Sequence, residues 1–492
     1  MIRRPPRSTP KPSSAASDVY KRQAKSREKT MSVALAYGEF CEKMRAIKIE
    51  EHIFHHAKRA TIDWFAATIP GGLETPARLT FQALKKEIGN GASTILPAGQ
   101  KTTPRNAALI NGTASHTLEF DDIFRAGLYH PGSPVISAVL ALADANDVSG
   151  EHFLRAVIAG YEVSNRIASV MVPAHYDFWH TTATVGFFGA TAASSYILGS
   201  NAEQTAHALA TSASMAAGLQ QAFQADAMTK PIHAGRAAEG GVLAASLARE
   251  GITGVLDIFE ADRGFGRAMS DTVDWVRALD GLGSYFTIEQ ITQKNHAAGG
   301  HVHAIIDAII QLKMGEEFEI ETIEQITIGS YQKVLDICDN PEPVSTNEAK
   351  FSAQFCAASA FVKGRSLRTK DFLQNNLKDP LVKNLLTKVV LDVDKKCQKA
   401  FPKARSAKVK VRLRNGVELE SFAPTRKGDP DHPMSDTELS EKYMDLVQIV
   451  FGEENTRLLL KEMWTFEQIT SIREFNNCLL YTSDAADEGL GV

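Results

Sequence analysis

Cysteine is scarce in this 492-residue chain, and the sequence contains no CxxC pair. Four of the five cysteines are Cys41, Cys338, Cys356 and Cys397, which lie far apart in the sequence. This spacing excludes a disulfide framework or a cysteine zinc site as the organising element, and it predicts a reducing compartment. We therefore expect a cytoplasmic protein. The mitochondrial matrix is the alternative if the chain is eukaryotic and its true N-terminus is missing.

Long apolar runs are also missing, and neither sign of charge dominates. No uninterrupted apolar segment reaches the roughly 18 residues needed to cross a bilayer. The formal net charge of −4 is mildly acidic, which argues against binding to nucleic acid or to an anionic membrane. We expect neither among the partners of this protein.

Periodic apolar patterns are absent from both ends of the chain. Residues 1–23 are basic and rich in proline and serine, without the apolar segment of a signal peptide. Both this end and residues 477–492 read like translated adapter DNA, and we expect them to be artefactual tails outside the fold. A basic targeting or nucleic-acid-binding arm is the alternative for the first of them.

Helical periodicity dominates the first half of the chain. The helix-patterned segments are rich in alanine, glycine and serine, and each is bounded by helix-breaking or capping residues. Small side chains let helix axes approach closely, as in an all-helical layer. The main predicted helices are 61–69, 107–120, 133–146, 150–171, 181–198 and 202–217.

Alternation of apolar and polar residues begins after about residue 283. It predicts strands at 319–330 and 388–393 and a hairpin over 408–422, in which Asn415 and Gly416 would form a type I′ turn. Between and after these strands the helical pattern recurs. The further predicted helices are 303–312, 349–363, 370–376, 436–451 and 453–463.

Together these patterns predict a mainly α fold with two parts. An all-helical domain is expected to be discontinuous, over residues 24–283 and 431–476. A smaller α+β lid domain over residues 284–430 would be inserted into it. A cleft between the two is the expected place for a ligand.

Three carboxylates and two imidazoles are concentrated between two predicted helices. His116 and Glu119 are three residues apart at a helix end, so both can project from one face. Asp121 and Asp122 follow, and His130 precedes a Pro-Gly stop that turns the chain back. This concentration predicts a site of acid and base chemistry. Capping or core packing is the alternative for each of these residues.

Lysine and histidine recur in three later clusters. His180 precedes an alanine-rich helix, Lys230 precedes a proline-started helix with His233 one turn on, and Lys294 precedes a group of three histidines. Such groups can hold the charge of a polycarboxylate and move protons. The histidines of the third cluster are His296, His301 and His303. A structural or solvent-exposed role is the alternative for each lysine and histidine of the three clusters.

In their order and spacing, these residues make the chain resemble the MmgE/PrpD family from about residue 45 to 470. The matching motifs are Asn111-Gly112, His116 to Asp122, His130 to Gly132, Thr229 to His233, Lys294 with His303 to Asp307, Glu348 to Ser352, Arg426 to Pro430 and Pro433 to Ser435.

The resemblance implies a helical domain with an α+β lid, a homodimer, and an active site that needs no cofactor and no metal. It also places the family's catalytic positions on Glu119, His130, His180, Lys230 and Lys294. We expect Glu119, His130, His180 and Lys230 to be catalytic, and Lys294, His233 and His303 to bind the substrate.

We expect a lyase that acts on a small polycarboxylate, and a dehydratase of a 2-methylcitrate-like tricarboxylate, in propionate metabolism, is the first prediction. Decarboxylation of cis-aconitate or epimerisation of iminodisuccinate is the alternative. In the decarboxylase branch of the family, Asp replaces Glu119 and His replaces Gly299, which disfavours decarboxylation here.

Two other classes of protein remain open from the residues alone. A metal-dependent lyase or hydrolase could use His116 with Glu119, or His301 with His303. A non-catalytic helical scaffold is the other class. The scaffold has no reason to bring lysine and histidine together in a cleft, which distinguishes it from an enzyme.

Overall fold

The computed structural model describes residues 32–223 and 227–477. The predictions made for residues 1–23 and 478–492 lie outside the described residues. Within them the chain is mainly helical with small sheets, which confirms the predicted fold class.

The first part of the chain is built almost entirely from helices. Several begin at side-chain caps: the Ser149 hydroxyl accepts a hydrogen bond from the backbone of His152, and Asn201 forms a capping box with Gln204. The helices are α1 (Val33–Lys43), α2 (Glu51–Gly71), α3 (Thr75–Ala83), α4 (Pro104–Thr117), α5 (Gly132–Asn146), α6 (Gly150–Met171), α7 (Ala174–Phe178), α8 (Thr181–Ile197), α9 (Ala202–Ala213), α10 (Thr229–Arg249), α11 (Phe265–Met269) and α12 (Trp275–Leu279).

Helices α4 and α10 approach closely at two glycines. A Cβ atom at Gly112 would lie 2.7 Å from the Cα atom of Gly235, and one at Gly235 would clash with the carbonyl oxygen of Leu109. Glycine is therefore required on both sides of this contact. The contact places the start of α10, with Lys230, beside the turn that follows α4.

Two short ribbons connect distant parts of the chain. Strand β1 (Ser93–Thr94) pairs antiparallel with β2 (Lys101–Thr102). Strand β3 (Ile123–Phe124), directly after the polar turn, pairs antiparallel with β4 (Ile291–Thr292). The second ribbon brings the segment that carries Lys294 to the turn that follows α4.

A four-stranded sheet in the order β6-β5-β7-β8 organises the second part of the chain. Strands β5 and β6 are parallel, whereas β7 is antiparallel to both β5 and β8. In the central register Ile326 lies opposite Val411, and both side chains are buried. The strands are β5 (Ile323–Ser330), β6 (Val389–Val393), β7 (Ala407–Leu413) and β8 (Glu418–Ala423).

Helices α13 and α16 pack together, and α13 also packs on β7 and β8. The predicted helix over 349–363 is interrupted at Ser352, whose hydroxyl caps a new helix by accepting from the backbone of Phe355. The helices of this part are α13 (His303–Gly315), α14 (Gln332–Cys338), α15 (Thr346–Phe351), α16 (Ala353–Lys363), α17 (Gln374–Leu377), α18 (Pro380–Leu386) and α19 (Lys395–Ala400).

The turn of the β7–β8 hairpin differs from the predicted type I′ turn. The amide of Leu413 donates to Val417, and the amide of Gly416 donates to Leu413, so the loop has three residues instead of two. Only Gly416 has a positive φ, of 83°, whereas a type I′ turn needs one at both central positions. The prediction of a type I′ turn was wrong because Asn415 keeps a negative φ.

Helices α20 (Asp436–Phe451) and α21 (Glu453–Trp464), which follow the sheet in the chain, pack on α2 of the first part, as predicted. A buried ion pair of 2.7 Å between Lys442 and Asp63 joins α20 to α2. The domain bounds themselves stay predictions. Across the described residues, no helix combines the length and apolarity that a membrane span requires.

Candidate active site

The polar turn after α4 is held by its backbone carbonyls. Glu119 has a positive φ of 58°, an uncommon conformation for a residue with a side chain. Each of three successive carbonyl oxygens accepts a hydrogen bond from a buried lysine: Leu118 from Lys350 at 3.0 Å, Glu119 from Lys294 at 2.8 Å, and Phe120 from Lys442 at 2.7 Å.

The Glu119 side chain is the anionic centre of the cluster. Its carboxylate forms an ion pair with Lys230 and lies 3.5 Å from the Nζ atom of Lys294. Burial by itself would raise the pKa of Glu119, but the two ammonium groups outweigh burial and hold this pKa far below its usual range. Glu119 is therefore ionised and keeps Lys230 and Lys294 in place.

Asp121 orients two imidazoles with one carboxylate oxygen. Its Oδ2 atom lies 2.6 Å from Nδ1 of His116 and 3.2 Å from Nδ1 of His130, and it accepts a hydrogen bond from Ser133. Because an ionised carboxylate only accepts, the His116 ring donates to it from Nδ1. The Nδ1 atom of His130 lies beside the same oxygen but forms no hydrogen bond with it. Burial lowers the pKa of His130 to about 4, although Asp121 opposes the shift. A neutral imidazole, oriented by a carboxylate, is the arrangement of a general base.

Asp122 points away from this cluster and fixes the loop before α5. Its two oxygens accept hydrogen bonds from the backbone of Gly132 and from the hydroxyl of Tyr161. A Cβ atom at Gly132 would lie 2.8 Å from Oδ1 of Asp122 and 2.9 Å from the hydroxyl oxygen of Tyr161, so the turn requires glycine. Burial raises the pKa of Asp122 to about 8, and the neighbouring Asp63 contributes to the shift.

This shift predicts a pH dependence of stability. Because the pKa in the folded state lies above the usual value near 4, the protonated carboxyl of Asp122 stabilises the fold below about pH 4. This contribution is lost as the pH rises through about 8. Asp122→Asn should therefore flatten the decline in the free energy of unfolding over this range. Urea unfolding at several pH values measures it, with the exposed Asp392→Asn as control, and equal declines in wild type and Asp122→Asn would contradict the prediction.

His180 lies at the N-terminus of α8 and faces the same cluster. Its Nδ1 atom is 3.1 Å from Nδ1 of His233, and its ring stacks on His116 at a centroid distance of 5.6 Å. Burial lowers the pKa of His180 well below its usual range, and the neighbouring imidazoles and Lys230 add to the shift. His180 is therefore a second neutral imidazole beside the Asp121 pair.

A cavity of about 1140 Å³ lies beside this cluster, between the two parts of the chain. Five of the seven predicted site residues lie on its wall: Glu119, His130, His180, Lys230 and Lys294. The wall also carries polar and charged residues that the sequence did not indicate as site residues, among them Tyr176, Lys333, Lys350 and Arg405. Of these, only Lys350 had a signal, because it belongs to the Glu348 to Ser352 motif.

Two predicted binding residues do not line the cavity. His233 reaches it only through His180. His303 is fully buried at the start of α13, where its Nε2 atom lies 3.1 Å from the carbonyl oxygen of Ala298. His301, two residues earlier, lies on the cavity wall instead. The geometry therefore assigns His303 to packing, because its ring is directed into the chain by the first turn of α13.

His116, Asp121 and His130 are close enough to hold a metal ion, since their candidate ligand atoms lie within 4.8 Å of one another. Nδ1 of His116 and Oδ2 of Asp121 are already hydrogen-bonded to each other. The Nζ atom of Lys294 lies 3.7 Å from Oδ1 of Asp121, and its charge would repel a cation. The alternative pair of His301 and His303 is not supported, because the two rings contact different partners.

Comparison with known proteins agrees with the geometry. The MmgE/PrpD N-terminal domain matches residues 36–278, and the MmgE/PrpD C-terminal domain matches residues 296–466. The chain belongs to the MmgE/PrpD family. The resemblance inferred from the motifs is thereby confirmed.

Within the MmgE/PrpD family, similar proteins include three named for one reaction. The cis-aconitate decarboxylase of Homo sapiens is 26% identical over 89% of this chain and 92% of its own length. The cis-aconitate decarboxylase-like protein oryM of Aspergillus oryzae is 25% identical over 89% of this chain and 95% of its own length. The Mus musculus cis-aconitate decarboxylase is 26% identical, over 84% and 86% of the two chains.

Proposed function

We propose that this protein is a lyase that acts on a small polycarboxylate, and that it removes CO₂ from an unsaturated tricarboxylate of the cis-aconitate type. The observation that carries the proposal is the cavity, whose wall combines the lysines 230, 294 and 350 with the imidazole of His130, 3.2 Å from Asp121. The names of the similar proteins support decarboxylation over the predicted dehydration.

The lysines supply the binding of the substrate. Lys294 is almost fully buried, and burial lowers its pKa while Glu119 and Asp121 oppose the shift. Burial likewise lowers the pKa of Lys350 to about 8. An anionic substrate would favour the charged form of both lysines, and the charged lysines would in turn bind the substrate more tightly.

His130 supplies the proton transfer. When a carbon–carbon bond to a carboxylate breaks, CO₂ leaves and its bonding electron pair stays on the substrate, where one proton must be added. The carboxylates of a bound substrate would raise the proton affinity of His130, so that the imidazole can deliver this proton. Lysine charge close to the carboxylates that remain stabilises the electron pair until protonation.

Dehydration is the second candidate, and one observation favours it. A Cβ atom at Gly299 would lie 2.8 Å from the ring of Phe351. The histidine that the decarboxylase branch carries at this position could enter only if Phe351 moved. Without that histidine, the site has one proton donor fewer for decarboxylation.

Product analysis tests the proposal. Purified protein is incubated separately with cis-aconitate, citrate and 2-methylcitrate, and CO₂ release and the NMR spectra of the products are followed. We expect CO₂ release and a dicarboxylate product from cis-aconitate. Loss of water from 2-methylcitrate without CO₂ release from any substrate would establish dehydration instead.

A matched variant separates enzyme activity from contamination. Lys230→Met removes a cavity cation, whereas Lys461→Met removes an exposed lysine on α21. The first variant should lose turnover and the second should keep it. Equal turnover in both variants, or no turnover by the wild-type protein on any of these acids, would overturn the proposal.

A further inference from the structure

Arg405 is a buried arginine without a carboxylate ion-pair partner in the part of the chain that the structure describes. Its exposed fraction is only 5%, and its Nε atom has no hydrogen-bond partner. The other buried arginines of this part each contact a carboxylate: Arg59 that of Asp436, Arg166 that of Glu162, and Arg426 that of Asp429.

The Arg405 side chain lies on the cavity wall, next to a glycine pair. A Cβ atom at Gly300 would lie 3.3 Å from Nη1 of Arg405, and one at Gly299 would meet the ring of Phe351. The same Cβ atom at Gly300 would lie 2.9 Å from Nη1 of Arg426, so two guanidinium groups border this glycine. His301 and Lys333 also line the cavity, and Nδ1 of His301 lies 2.9 Å from the hydroxyl of Tyr331.

Packing that involves no charge holds the segment before β7 in place. The Phe401 ring stacks on Tyr331 at a centroid distance of 4.4 Å, and the hydroxyl of Ser330 donates to the carbonyl of Ser406 at 2.9 Å. Arg405 lies between these two anchors. Its position is thus fixed without a carboxylate, and the guanidinium is available to a ligand.

We propose that Arg405, with His301 and Lys333, forms a second carboxylate-binding subsite that selects a tricarboxylate over a dicarboxylate. The inference rests on the proposed function, because it takes the ligand of the cavity to be a polycarboxylate. An arginine is always charged, and burying its charge without a partner is unfavourable. A substrate carboxylate supplies two acceptor oxygens in the geometry that a guanidinium prefers.

The experiment is a binding measurement that does not depend on turnover. Calorimetric titration gives the affinities of wild type and Arg405→Met for tricarballylate and for glutarate, which has one carboxylate fewer. Arg405→Met should weaken tricarballylate binding by about 10- to 100-fold, the usual size of a hydrogen bond to a charged group. Glutarate binding should change little, so the preference for the tricarboxylate should disappear. Arg405→Lys should restore part of the preference for the tricarboxylate.

Stability separates a binding role from a structural one. Because Arg405 has no carboxylate partner to leave unpaired, Arg405→Met should have an unchanged or higher melting temperature. Arg412→Met is the control, since Arg412 lies exposed on β7 and pairs with Glu324. A lower melting temperature with equal loss of both ligands would overturn the subsite and assign Arg405 to structure.

Two outcomes distinguish this inference from the function on which it rests. If wild type binds tricarballylate and Arg405→Met binds it equally well, the subsite is refuted and the proposed function stands. If wild type binds neither acid and converts none of the substrates tested above, both are refuted.

Discussion

His130→Ala should lower kcat by about 10²- to 10⁴-fold, which is the range of a general acid or base contribution. The imidazole lines the cavity, its Nδ1 atom lies 3.2 Å from Oδ2 of Asp121, and the ring is placed to exchange a proton with the substrate. Because alanine leaves the lysines in place, KM should change much less than kcat. Steady-state kinetics on the substrate that the wild-type protein converts measures both constants.

Asp121→Asn is the matched test of how His130 is oriented. Asparagine keeps the size of the side chain, but it replaces one oxygen by an NH₂ group and removes the negative charge beside the ring. The variant should lower kcat by about 10²-fold or more, because the imidazole loses its fixed tautomer. His52→Ala, in the exposed first turn of α2, should keep wild-type kinetics. Wild-type kcat in folded His130→Ala would refute the assignment.

Lys442→Met should lower the free energy of unfolding by about 3–5 kcal/mol, the cost of breaking one half of a buried ion pair. Its Nζ atom donates to Asp63 at 2.7 Å, to the carbonyl of Phe120 at 2.7 Å and to the carbonyl of Lys294 at 3.0 Å. Methionine fills similar space but leaves the fully buried carboxylate of Asp63 without its cation. Urea unfolding monitored by circular dichroism measures the change.

A double mutant shows whether the lost ion pair causes the effect. Lys442→Met combined with Asp63→Asn should be less destabilised than the sum of the two single variants, because neither charge is then left unpaired. The exposed Lys461→Met serves as control and should change the free energy of unfolding by about 0.5 kcal/mol or less. A loss in Lys442→Met no larger than in this control would contradict the prediction.

Local patterns predicted individual elements well where periodicity and caps agree. Helix α6 spans residues 150–171 and α20 spans residues 436–451, both with the predicted bounds. The turn between β7 and β8 was predicted less well, because its type depends on the backbone conformation of single residues. Asn415 could have taken either sign of φ, and the sign that it took changed a two-residue turn into a three-residue one.

The site was predictable where its residues are near in sequence. His116, Asp121 and His130 belong to one turn, and their contact follows from the short chain between them. His301 and His303 show the limit of this reasoning. They are two residues apart, yet only the first lines the cavity, because α13 begins at the second.

The helical content, the sheet strands, the family motifs and the concentration of acid and base groups after α4 could be read from the sequence, since these features depend on neighbouring residues. Long-range packing decides which cations line the site. Lys350 and Lys442 bond two carbonyls of the turn after α4, and Arg405 lies on the cavity wall. The three come from segments far apart in the chain, and no local pattern predicts these contacts. Their roles depend on burial and long-range packing, which are properties of the folded chain.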